Sequence, residues 1–211
     1  MSFASLFRAA AGLIAVAALI VQYWLLVRNL DGDLSAAALR FLNYFTLLSN
    51  VVGAAAFLFP ALAPATPPGR YFSRPSVRTA VTLYLVVVGV VYHALLASRW
   101  DPKGWQLAAD IALHTIMPVA IVIDWLFLTA KRDLSMAYVP RAVLFPFGFA
   151  IWVLIVGAVS GFYPYPFLDV GALGYPRVLT NLAILLALFA TLGALMAMLG
   201  RRIAQSAAAQ K

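Results

Sequence analysis

Six apolar runs, each roughly the 20 residues a helix needs to cross the hydrocarbon of a bilayer, follow one another along the 211 residues of this chain. Their limits read as 7–27, 41–59, 79–98, 107–130, 142–160 and 178–199. In lipid a single segment can satisfy its own backbone groups only as a helix. The pattern therefore predicts an all-α fold: one polytopic membrane domain over residues 1–211, a bundle of six transmembrane helices. Composition points the same way. The chain is 64% hydrophobic and 10% charged, whereas soluble domains are about half apolar and about a quarter charged.

The first run follows Arg8. It is longer than the apolar region of a signal peptide, no small-x-small cleavage site follows it, and it reads as an uncleaved first helix. The connections carry turn chemistry: Asp31-Gly32-Asp33, the proline-rich stretch Pro60 to Arg78, and Asp101-Pro102-Lys103-Gly104. The absence of cysteine excludes disulfides, thiol catalysis and thiolate metal sites.

A formal charge of +8 in a soluble protein would suggest nucleic acid. Here it reads as topology and lipid contact, and no nucleic-acid partner is expected. Arg8, Arg70, Arg74, Arg78, Lys131, Arg132, Arg141, Arg201, Arg202 and Lys211 fall on one side of the expected membrane. Arg28, Arg40, Arg99, Lys103 and Arg177 fall on the other, with Asp31, Asp33, Asp101 and Asp169; only Asp133 joins the basic side. The richer side is expected to be cytoplasmic, which places both termini there.

Within the spans the polar residues gather toward the opposite side. Thr46 lies roughly 9 Å below Arg40 and His114 roughly 12 Å below Gln106, at 1.5 Å per residue. His93 and Asn181 fall in the same layer. Asn43, Thr46 and Asn50 are spaced i, i+3, i+7, so one face of the second run presents all three, with Ser49 nearby. Asp110 and His114, at i and i+4, stack on the fourth run. These types suit a nucleophile (Thr46), a base (His114), a carboxylate that orients the imidazole (Asp110), and amide donors to an oxyanion (Asn43 or Asn50). Each also has a structural reading, as a helix-to-helix or helix-to-backbone hydrogen bond. Tyr92 and His93 are adjacent, so one meets the pocket and the other packs outside. Asp124 is expected to pair with Arg78 or Lys131 structurally. The aromatic loop Gly161 to Asp169 reads as an interfacial belt, with a lid as its functional alternative. Gly157 and Gly161 form a weak GxxxG helix-contact signal.

The stretch Phe45-Thr46-Leu47-Leu48-Ser49-Asn50, Leu113-His114 with Pro118 and Asp124-Trp125, and Gly161-Phe162-Tyr163-Pro164-Tyr165-Pro166-Phe167 resemble a bacterial branch of the androgen-induced-gene-one and androgen-dependent tissue-factor-pathway-inhibitor-regulating family. The resemblance covers nearly the whole chain. It implies an integral membrane hydrolase, here of a bacterial inner membrane, with a threonine nucleophile at Thr46 and a histidine at His114. The animal members cleave fatty acid esters of hydroxy fatty acids, so the implied partners are the membrane and a lipid or fatty acid ester substrate. FTLLSN matches the animal sequences only loosely, and Tyr-Pro-Tyr-Pro is typical of the bacterial branch, so the catalytic pair carries over more readily than the substrate. The leading expectation is an intramembrane lipid ester hydrolase without metal or cofactor. A second reading is a haem-binding electron carrier ligated by His93 and His114; a third is a non-catalytic lipid-binding protein.

Overall fold

The structure, a computed structural model, describes residues 2–131 and 134–209. Arg132, Asp133 and Lys211, which enter the charge asymmetry, lie outside the described residues. The fold is all-α. Helix α1 spans Phe3–Asn29, α2 Leu34–Leu42, α3 Phe45–Leu62, α4 Pro67–Phe72, α5 Pro75–Arg99, α6 Trp105–Leu128, α7 Tyr138–Ser160 and α8 Val170–Ala209. Six of these, all but α2 and α4, are long and apolar enough to cross a membrane, an arrangement compatible with an integral membrane protein.

The second run differs from the single helix that its composition predicts. Asp33 caps α2 through its carboxylate, which accepts from the N–H groups of Ser35 and Ala36. The helix then stops at Asn43, and α3 starts afresh at Phe45 after an extended Tyr44. Asn43 is fully buried at this break, so α3 begins inside the protein. This corrects the expected shared face: Asn43 belongs to a different helix from Thr46 and Asn50. The last run differs too. Gly174 adopts a positive φ of 72°, and Pro176 follows within the first turn of the long part of α8.

Alanine and glycine let α1 lie close on α3; a Cβ on Gly12 would stand 2.5 Å from Leu58 Cγ. One buried cluster joins α1, α3, α5 and α6 through residues such as Ala15, Phe57, Leu85 and Met117. A second joins α3, α5, α7 and α8 around Phe45, whose ring meets Tyr84, Phe149 and Phe189 edge-on. Leu47 faces a third cluster, with Leu19 and Leu113. Phe45 and Leu47 thus point into different cores, and Thr46 between them sits at their junction.

At the end of the bundle holding both chain ends, Asp124 accepts from Arg8 Nε at 2.6 Å, from Arg78, and from Thr129 Oγ1 at 2.9 Å. Of the two partners expected from sequence, Arg78 and Lys131, Arg78 is the one that pairs with Asp124. Lys131 instead donates to the carbonyls of Leu126 and Thr129 at the end of α6, where a cation meets the negative end of the helix dipole. The Asp124 cluster fastens α1, α5 and α6 together.

Candidate active site

Three π-turns widen the long helices: Tyr92–Leu96 in α5, and Ala112–Ile116 and Asp124–Leu128 in α6. Such turns are frequent at functional sites. The second has a visible local cause. Pro118 has no N–H to give to the carbonyl of His114, four residues back. Gly89 lets α5 press against this point, since a Cβ there would stand 3.1 Å from Pro118 Cβ and 3.4 Å from the His114 carbonyl oxygen. The widened turn carries His114.

His114 is held by a chain of polar groups. Its Nδ1 lies 3.1 Å from the Asp110 carbonyl oxygen and 3.1 Å from Asp110 Oδ1. The N–H direction meets the carbonyl, so Oδ1 stands at ion-pair distance without a hydrogen bond among the described residues. Tyr92 donates its hydroxyl to Asp110 Oδ2 at 2.6 Å, and Trp100 Nε1 donates to Tyr92 at 3.1 Å. The Tyr92 ring also stacks on the imidazole, with centroids 3.9 Å apart and planes 16° from parallel. With Nδ1 donating, the lone pair of the neutral ring lies on Nε2.

Thr46 and His114 line one cavity of about 400 Å³, together with Gln22, Tyr92, Asp110 and Tyr165. No hydrogen bond joins their side chains among the described residues. Nucleophile–base contacts in free enzymes are often long and tighten when substrate binds. Asn50 ties the two backbones together beside them: its Nδ2 donates to the Thr46 carbonyl at 2.8 Å and to the Leu113 carbonyl at 3.2 Å. That amide is therefore spent on clamping α3 to the residue before His114, which corrects the expectation that it serves an oxyanion. Asn43 is fully buried outside the cavity, so it is not the second amide donor either. Ser49 is also buried and lies off the cavity.

Of the adjacent pair, Tyr92 meets the pocket and His93 does not. His93 is exposed on the outside of the bundle, with Nε2 3.1 Å from Thr115 Oγ1. The two histidines do not converge on one space, so a shared haem finds no fit between them. Asn181 lies away from the cavity and donates to the Phe167 carbonyl at 2.8 Å, anchoring the aromatic loop to α8.

That loop supplies one of the two residues that sequence reasoning missed, the other being Trp100. Tyr163 lays its ring where a Cβ on Gly157 would be, and Gly161 ends α7 in a left-handed conformation. Gly157 thus gives the loop its seat on α7, a use of the glycine that the GxxxG reading did not foresee. So held, the loop dips into the bundle. Tyr165 is 9% exposed and its oxygen accepts from the Phe45 N–H at 2.9 Å, capping the start of α3. Burial pushes the Tyr165 phenol up to about 12, opposed by the nearby polar groups of Thr46 and by the Phe45 N–H. The phenol thus stands beside the Thr46 hydroxyl, and the loop is more than an interfacial belt. The sequence signal was a single tyrosine between two prolines.

Behind Thr46 a second, narrower crevice opens, lined by apolar side chains including Phe45, Val87, Phe149, Leu182 and Phe189. Thr46, Tyr92, Leu96 and Tyr165 border both spaces. A polar cup and an apolar crevice therefore meet at a threonine hydroxyl. Compared with protein-family models, with curated proteins and with solved structures, the chain has no match.

Proposed function

We propose that this chain is an intramembrane lipid ester hydrolase with Thr46 as nucleophile and His114 as general base. The observation that carries the reading is the position of Thr46, at the doorway between the polar cup holding His114 and the apolar crevice among α3, α5, α7 and α8. An ester of a long-chain acid suits such a doorway in polarity: its carbonyl reaches Thr46, its alcohol part lies in the cup, and its acyl chain is directed at the crevice, which at about 70 Å³ takes the first carbons and has to widen for the rest. Esters of hydroxy fatty acids, which the family resemblance suggests, have this shape.

The Thr46 oxygen attacks the ester carbonyl while His114 Nε2 takes the hydroxyl proton. The negative charge that develops on the carbonyl oxygen is met by the Tyr165 hydroxyl and by the positive end of the α3 dipole, in whose first turn Thr46 lies. The bond to the alcohol oxygen then breaks, and His114 returns its proton to the departing alcohol. Water attacks the acyl-threonine, His114 takes one proton from it, the bond to Thr46 breaks, and the threonine recovers its proton. Asp110, fixed by Tyr92, orients the imidazole and stabilises its charged form. Placement in a bacterial inner membrane with both termini cytoplasmic belongs to the same proposal; it rests on the resemblance and on the distribution of Lys and Arg.

The test is ester turnover by purified protein. Thr46→Ala and His114→Ala are each expected to abolish hydrolysis of a long-chain ester while leaving yield and unfolding temperature unchanged. Full turnover by either variant defeats the mechanism. Intact lipid retained by wild type and both variants, without turnover in any, would instead establish the non-catalytic lipid-binding reading.

A further inference from the structure

A separate cavity of about 530 Å³ opens at the end of the bundle that holds the chain termini, between α5 and α7 and against α4. This is within the range of ligand sites, roughly 300–1,000 Å³. It shares no lining residue with the cup or the crevice around Thr46. Its wall is apolar, from Val77, Ala80, Val81, Leu144 and Phe145. Three tyrosines also line it: the hydroxyl of Tyr84 donates to the Ala142 carbonyl at 2.8 Å and that of Tyr138 to the Gly193 carbonyl at 2.7 Å, while the ring of Tyr71 faces Arg74.

The rim is different. Arg74 at the start of α5 and Arg141 near the start of α7 both border the cavity, with Ser76 between the wall and the rim. Both arginines are exposed, and neither guanidinium has a carboxylate or carbonyl acceptor among the described residues. Other basic residues of this end are spent on the protein itself. Arg70 donates to the Ala65 carbonyl, Arg201 to the Leu134 carbonyl at 3.1 Å, and Arg8 and Arg78 to Asp124. Arg74 rests over the Tyr71 ring, 5.7 Å from its centroid, and neither it nor Arg141 has an acceptor oxygen among the described residues; two such guanidiniums at the rim of one apolar cavity form the complement of an amphiphile with an anionic head. Guanidinium groups match the oxygens of a phosphodiester in geometry as well as charge. Basic pockets between membrane helices are known to take anionic lipid head groups.

We infer that this cavity is a binding site for one anionic phospholipid, its phosphate held by Arg74 and Arg141 and an acyl chain lying along Val77, Val81 and Leu144. The site is distinct from the hydrolytic site and does not depend on it. Its occupant is drawn from the leaflet at the terminal end, and it ties the α4–α5 corner to α7 where few protein contacts do so.

The experiment is native mass spectrometry of the full chain purified in neutral detergent and offered phosphatidylglycerol or phosphatidylcholine with identical acyl chains. The expected result is one retained phosphatidylglycerol, favoured over phosphatidylcholine by about thirtyfold, because both lipids carry the phosphate but the choline cation of the second is repelled by the two guanidiniums. The double variant Arg74→Gln, Arg141→Gln is expected to bring the two lipids to parity. Ala80→Phe, which fills the apolar shaft and leaves both arginines in place, is expected to lower retention of phosphatidylglycerol. Should the double variant fail to fold, the wild-type preference measured against rising salt stands in for it, and is expected to fall steeply. Equal retention of both lipids by wild type, or a preference that survives the double variant or high salt, overturns the proposal. Arginine-dependent retention of oleate without retention of phosphatidylglycerol overturns it in favour of a free fatty acid.

Discussion

Replacing Tyr165 by Phe removes one oxygen from a residue that is 9% exposed, and the structure assigns that oxygen two duties. It accepts the Phe45 N–H at 2.9 Å, and it stands beside the Thr46 hydroxyl. Losing the first duty leaves one helix-start N–H without its partner, which costs about 1–2 kcal/mol by analogy with other lost caps. Losing the second removes one donor from the developing oxyanion, an effect of about 10²–10³ in kcat. KM is expected to change little, because in the proposed complex the ground-state contacts are made by the acyl chain and not by the Tyr165 hydroxyl. The assay pairs hydrolysis of a long-chain ester by the purified variant with thermal unfolding in detergent. A lowered unfolding temperature with kcat within about threefold of wild type refutes the catalytic duty and leaves only the cap. The protonation state supports the same reasoning. Burial raises the phenol from 10.0 to about 12, so the hydroxyl keeps its proton, and can donate, throughout the neutral range. The unfolded chain ionises first, so this contribution to stability is present below pH 10 and is lost as pH rises through about 12.

Three further perturbations separate positioning from chemistry. Asn50→Leu removes both bonds of the clamp between Thr46 and Leu113, and is expected to lower stability by about 1–2 kcal/mol and to reduce kcat more than KM; an unchanged kcat means that the clamp does not position the pair. Gly89→Val places a branched side chain against Pro118 and the His114 carbonyl, and is expected to lower stability by about 1–3 kcal/mol through overpacking and to reduce turnover, whereas Gly148→Ala, where a Cβ meets nothing within 4 Å, is expected to leave turnover unchanged and to raise stability by up to about 1 kcal/mol. Asp124→Asn leaves two arginines facing a neutral amide and is expected to destabilise the fold by about 3–5 kcal/mol, read from unfolding temperature, while the folded fraction keeps its specific activity because the cluster lies at the opposite end from Thr46.

Much of this architecture is legible in the amino-acid order because its physics is local. Apolar runs bounded by Pro, Gly and charge announce spanning helices, and all six appear. The i, i+4 spacing of Asp110 and His114 places them together. What the order conceals is where a helix restarts. Nothing in Phe41 to Asn50 signals that α3 begins at Phe45, because Leu42, Tyr44 and Phe45 continue the apolar run; the break lies in burial of Asn43 and in the cap that Tyr165 supplies from 120 positions away. The same break moves Asn43 off the face it was expected to share with Thr46. Asn50 reads as an amide donor in one dimension and becomes a clamp only when Leu113 arrives beside it. Trp100 and Tyr165 belong to the site through long-range contacts that no spacing rule encodes.

The central claim is that Thr46 is a nucleophile activated by its surroundings, and covalent labelling reads this most directly. Purified protein in detergent, treated with a fluorophosphonate probe and digested, is expected to carry the label on Thr46, with none in Thr46→Ala and strongly slowed labelling in His114→Ala. Labelling of Thr46→Ala at the wild-type rate, or wild-type protein that hydrolyses long-chain ester but takes up no label on Thr46, contradicts the account.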